Sequence, residues 1–192
     1  MRKKPLSSLA SVYTNSENAI ATQHLIEQGC RHIAHIRGPE VSTALGRYNG
    51  YRQALQEANL TAAPENVVSL GTSGDSRGVS GGYEAMSKLL ANPIRPDGLF
   101  CFNDPSALGA MRALLDAGLR IPENVAAIGC GNISYSDFLR VPLSSVDQDS
   151  TQIGTEAAQL ALLVASQEDT LPSSKIIMPH LAIRASSLRK LQ

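Results

Sequence analysis

Four polar residues and a glycine in this 192-residue chain stand just past apolar runs, where groups are placed to meet a ligand. Asn103 and Asp104 lie just past "LFCF", Gly131 and Asn132 just past "AAIG", and Gln148 just past "SSVD". A further polar residue, Arg47, lies near the start of the helical pattern after "HIRGP". If the apolar runs are parallel strands, their carboxyl ends line up along one edge, and residues distant in sequence converge on one crevice. The set is amides plus one guanidinium, with no acid–base pair at catalytic spacing. Such groups suit the binding of a hydroxyl-rich or polar small molecule and not its turnover. The plainer reading of each residue, as a helix cap or turn closer, stays open, most of all for Asp104.

Other chemistries find less support. No G-x-S-x-G elbow follows a strand. The four histidines (His24, His32, His35, His180) fall on helix or strand patterns, and His32 and His35 lie on opposite faces of one strand, so no metal ligand pair is expected. The loop "GTSGDSRG" lacks the Gly-Lys-Ser/Thr ending of a P-loop and the G-x-G-x-x-G of a dinucleotide turn. No cofactor and no catalytic residue is therefore expected. Cys30, Cys101 and Cys130 are odd in number and without metal spacing, which fits reduced thiols in a cytoplasmic protein.

Positioning these residues requires alternating strands and helices, and the pattern supplies them. Helices are predicted over 19–28, 43–58, 79–90, 105–118 and 150–165. Strands are predicted at "HIAHIRGP", "NVVSL", "DGLFCF", "NVAAIG", "LSSVD", "KIIMP" and "LAIRA". Gly29 and Gly118 are placed as C′ caps, and Asp104 with Pro105 as the start of the fourth helix. Apolar strands without strict alternation, joined through helices by short loops, indicate an α/β fold: a parallel sheet with helices on both faces. The composition, 43% hydrophobic and 18% charged, is that of an ordinary globular chain. Seventeen basic and 17 acidic residues balance, so nothing drives the chain as a whole toward nucleic acid. No apolar run is long enough to span a membrane.

Five segments, "HLIEQGCRHIAHIRGP", "GRYNGYRQAL", "PDGLFCFNDPSALGAMRALLDAGLRIPENVAAIG", "VPLSSVDQDSTQIGTEAAQLAL" and "MPHLAIRASS", follow the order and spacing of the lactose/galactose repressor family. From about Ala19 to Ser187 the chain resembles that family. The resemblance implies a periplasmic-binding-protein-like core of type I. Two α/β subdomains would hold a sugar-like or related small effector in the cleft between them, in a homodimeric transcriptional regulator. Carried over by motif, Arg47, Asn103 and Gln148 would contact effector, Phe100 would pack against it, and Ser76 would line the cleft. Met111 and Leu115 on the fourth helix, with Tyr135 and Phe138 in "SYSDFLRVP", would form the dimer contact.

The resemblance also implies absences. Gly131 stands where relatives carry an aspartate, leaving Asn132 or a backbone group to meet the effector. The helix-turn-helix that contacts operator DNA would precede this chain. Residues 1–37 and 150–176 are then expected to be part of an N-terminal subdomain, residues 38–149 and 177–187 a complete C-terminal one, and 188–192 a tail. The competing reading is a sugar-binding protein of a transport system. A flavodoxin-like enzyme is a third.

Overall fold

Short apolar runs bounded by Gly, Pro and Asn become the strands of one sheet, and the amphipathic stretches between them become its covering helices. The computed structural model describes residues 19–40, 42–70, 78–165 and 175–189. In chain order the elements are α1 (Ile20–Glu27), β1 (Ile33–Arg37), α2 (Ser42–Glu57), β2 (Val67–Ser69), α3 (Gly78–Leu90), β3 (Gly98–Cys101), α4 (Asp104–Asp116), β4 (Ala126–Cys130), β5 (Ser144–Asp147), α5 (Ser150–Ala165) and β6 (His180–Ala182). The sheet order is β2-β1-β3-β4-β5-β6, parallel from β2 to β5, with β6 antiparallel on β5. The α/β expectation with helices on both faces holds. Gly29 and Gly118 take positive φ (86° and 72°) just after α1 and α4, as C′ caps do.

Each face has its own core. On one, α3 and α4 pack Met86, Leu89, Ala110 and Leu114 against Ile36, Leu99 and Ala127. On the other, Leu25 of α1 and Tyr51 and Leu55 of α2 pack against Ile33, Phe100 and Ile128. The three cysteines are buried and unpaired. No described helix is long and apolar enough to cross a membrane.

Strand β1 is paired on both sides, with β2 and β3, so residues 33–37 share one sheet with the strands that follow residue 38. Parallel pairing is non-local, and the local pattern carried no sign of it. Two expectations are corrected. "KIIMP" is irregular and not a strand: β5 is four residues long, and its antiparallel partner begins only at His180. Met111 is 5% exposed and belongs to the core, so it offers nothing to a partner.

His35 lies between the α2 aromatics and β3. Its ring stacks on Phe100 and Tyr51 at centroid distances of 5.0 and 5.2 Å, and its Nδ1 pairs with the Phe100 carbonyl at 2.9 Å. Burial, aided by the charges of Arg47 and Arg37, pushes its pKa down to about 4. Between the unfolded value near 6.5 and that folded value, the unfolded chain binds a proton that the folded chain refuses. Stability is thus full above pH 6.5 and falls as pH drops, by up to about 3 kcal/mol near pH 4. The raised pKa of Asp104 acts in the opposite sense at the acid end. Urea unfolding between pH 7.5 and 4.5 should show this loss, and the profile of a His35→Phe variant should be flatter. Parallel profiles would refute it.

Candidate functional site

The carboxyl ends of β1, β3, β4 and β5 form the edge at which the predicted residues meet. Arg47, in the second turn of α2, is 7% exposed. Its Nη1 donates to the Phe102 carbonyl at 3.0 Å and its Nη2 to Gln148 Oε1 at 3.1 Å, while its guanidinium lies over the Phe102 ring at 5.0 Å. Residues 47, 102 and 148 thus converge as the strand-end argument requires. Cys130 ends β4 beside Arg47; burial pushes its thiol up to about 11 against the pull of that charge, which favours the protonated form at neutral pH.

Asn103 is the N-cap of α4. Its Oδ1 accepts from the Ser106 amide at 2.9 Å, and the Ser106 hydroxyl completes a reciprocal box. The cap therefore sits one residue earlier than expected, and Asp104 is the first helical residue. Asp104 is fully buried and turns toward the neighbouring strands. Its carboxylate accepts from the Ser145 hydroxyl at 2.6 Å and from the Ile133 amide at 2.8 Å. Desolvation raises its pKa, and those two bonds with the Arg184 and Arg47 charges pull the other way.

A β-carbon on Gly129 would overlap Asp104 Oδ1, so that glycine leaves room for a carboxylate arriving from α4, whereas one on Gly131 would sit in ordinary contact, 3.6 Å from Oδ2. Gly131 also has φ +126°, which a side chain would strain. An aspartate at 131 would add a second carboxylate beside the first.

Other expected residues are placed differently. Phe100 is fully buried under His35, so it faces the core and not the edge. The aromatic at the edge is Phe102, on the same face two residues on, which sequence reasoning missed. Its signal was present, as the last aromatic before Asn103. Asn132 lies at the lip, but both ends of its amide are engaged: Nδ2 donates to Asp147 Oδ2 at 2.7 Å and Oδ1 accepts from Arg184 Nη2 at 2.9 Å. Arg184 also pairs with Asp137. Asn132 is thus a tie between β5 and the chain after β6. Ser76 lies outside the described residues. Leu115, Tyr135 and Phe138 are 37%, 48% and 87% exposed.

Among the described residues no cluster of His, Cys, Asp and Glu could hold a metal. A hollow of about 450 Å3, lined by Arg31, His32, Asn59, Asn66 and Asn92 among others, opens at the amino ends of β1 and β2, away from these groups.

Residues 22–187 match the model of a periplasmic binding protein-like domain. The HTH-type transcriptional repressor PurR of Haemophilus influenzae is 38% identical over 171 residues, 87% of this chain and 49% of that protein. The PurR repressor of Histophilus somni is 36% identical over 168 residues, with the same two coverages. The chain spans about half the length of the curated relatives it matches. Among solved structures, the transcriptional regulator CelR in complex with cellobiose superposes with a TM-score of 0.83 at 31% identity, over 95% of this chain and 56% of that one. A LacI family regulator from Enterococcus faecium with bound ribose gives 0.81 at 26% identity, over 99% and 69%. With a matching domain model over nearly its whole length, relatives above 30% identity and the same fold, the chain belongs to the lactose/galactose repressor (LacI) family and carries its periplasmic-binding-protein-like effector-binding core.

Proposed function

We propose that this chain senses a small polar metabolite at the carboxyl edge of its sheet, within a cytoplasmic transcriptional regulator whose DNA affinity the metabolite sets. The observation that carries this reading is the convergence of Arg47, Gln148 and Phe102: a guanidinium and an amide beside an aromatic face. That set recognises hydroxyls, carbonyls and a ring without offering a nucleophile or general base. The neighbours solved with cellobiose and with ribose support a polar, sugar-like effector. DNA contact belongs to a helix-turn-helix of the kind named for the relatives, with this core as its control.

The protein works as a homodimer in this reading, with Leu115, Tyr135 and Phe138 as the exposed apolar groups at the contact. Helix α5 belongs, by the same reading, to the second subdomain across the cleft. Its described side chains are exposed or half-exposed except Leu160, as expected of a helix whose main packing partner lies elsewhere.

A metabolite screen by thermal shift, followed by calorimetry on each hit, tests the assignment. Arg47→Ala is expected to weaken the best ligand by about 1.5–3 kcal/mol, the scale of a hydrogen bond to a charged group. Unchanged affinity in a folded Arg47→Ala protein would remove this edge as the binding site.

A further inference from the structure

Among the described residues, both arginines at the β1–β3 end of the edge are short of close anionic partners. Arg47 is nearly buried, yet its bonds go to a carbonyl and an amide oxygen, and no carboxylate among the described residues lies within ion-pairing distance of it. A buried guanidinium without a counter-ion is costly unless something completes its shell. Arg37, the last residue of β1, has its Nε buried with no partner. Its one carboxylate contact is Glu40 at 3.5 Å, three residues on and 78% exposed, a pair of little worth.

The two guanidiniums share one neighbourhood. Arg37 lies over the Tyr48 ring at 5.0 Å, and Arg47 is the adjacent residue of α2. Both charges act on the His35 ring, whose Nε2 is buried with no hydrogen-bond partner among the described residues. Three other described carboxylates lie toward the far end of the edge and are engaged there. Asp104 holds Ser145 and Ile133; Asp147 accepts from Asn132 and from the Asp149 amide; Asp137 pairs with Arg184. Among the described residues, Glu40 is thus the carboxylate beside these two arginines, while Asp104, Asp137 and Asp147 lie toward β4 and β5.

We infer that the effector carries an oxyanion, a carboxylate or a phosphate, which docks between Arg37 and Arg47 while its polar remainder runs toward Gln148 and the Gly131–Asn132 lip. This deepens the effector-binding reading and rests on it. Planar guanidiniums match the geometry of such groups, and a ligand anion would supply the counter-charge that no described carboxylate gives Arg47 at ion-pairing distance.

The test measures thermal shift of the whole chain in inorganic phosphate against sodium chloride of equal ionic strength, with ribose and ribose 5-phosphate as a neutral and charged pair. Phosphate is expected to raise Tm saturably, and the phosphorylated sugar to bind at least about tenfold tighter than the neutral one. Arg37→Gln should abolish the advantage of the charged probe. Glu40→Gln, an exposed change with little risk to folding, should strengthen phosphate binding a few-fold by removing the competing carboxylate. Phosphate that shifts Tm no more than chloride, or a shift that survives in Arg37→Gln and ignores Glu40→Gln, overturns the inference. If ribose binds in an Arg47-dependent way while phosphate does not, only the anion assignment fails. If phosphate binds through Arg37 and no metabolite in the screen binds, the anion site stands and the effector reading fails.

Discussion

Gly109→Ala is expected to lower the stability of the chain by about 3–5 kcal/mol, and its midpoint of thermal unfolding by roughly 10–15 °C. Helices α3 and α4 cross so closely at this glycine that an added β-carbon would overlap the Val79 carbonyl oxygen and lie 2.7 Å from the Tyr83 backbone nitrogen. Both obstacles are main chain, so no rotamer change relieves them. The helices must part, and parting them opens the core in which Met86, Ala110 and Leu114 meet. A partner glycine repeats the arrangement, since a β-carbon at Gly82 would overlap the Ser106 carbonyl. Because Ser106 also closes the cap of α4, a forced separation reaches the strand-end edge. Calorimetry of the variant checks the magnitude. A loss below about 1 kcal/mol would mean that the crossing is looser than these distances allow.

These contacts mark where the sequence is readable and where it is not. Punctuation by Gly, Pro and Asn placed most helices and strands to within a residue or two, because caps and breakers act locally. Helix α5 was met at both ends, Ser150 and Ala165. Strand-end logic also brought Arg47 and Gln148 together from 101 residues apart, because parallel strands deliver their carboxyl ends to one edge whatever the loops do. Depth along a strand is another matter. Phe100 and Phe102 share a face, and only the observed end of β3 at Cys101 decides which is core and which is edge. Helical phase was likewise too coarse for Met111, one residue position from the exposed side at Arg112. The partners of Asn132 were invisible, since Asp147 and Arg184 reach it from 15 and 52 residues away. Family likeness could mark Gly131 as unusual but not say why. At φ +126° a side chain there is strained by its backbone, and an aspartate would add a second carboxylate near Asp104.

Asp104→Ala is the second large effect, with an expected cost of about 3–4 kcal/mol. The carboxylate terminates a relay. The Asn132 amide donates to Ser145 Oγ at 2.9 Å, the Ser145 hydroxyl donates to Asp104, and the Ile133 amide donates to its other oxygen. Alanine leaves the Ser145 hydroxyl and the Ile133 amide without an acceptor in a place where water is scarce, and opens a hollow beside Gly129. Asp104→Asn keeps the shape and one acceptor and should cost less, about 1–2 kcal/mol. The two variants separate stability from site geometry through native-state amide exchange. In Asp104→Ala the amides of Asn132 and Ile133 should lose protection beyond what the global change explains, because the lip loses its anchor while β4 and β5 remain paired. Retained protection at those two amides would show that Asn132, tied to Asp147 and Arg184, holds the lip unaided. In that case the buried carboxylate would contribute to α4 alone, and Gly129 beside it would need another explanation.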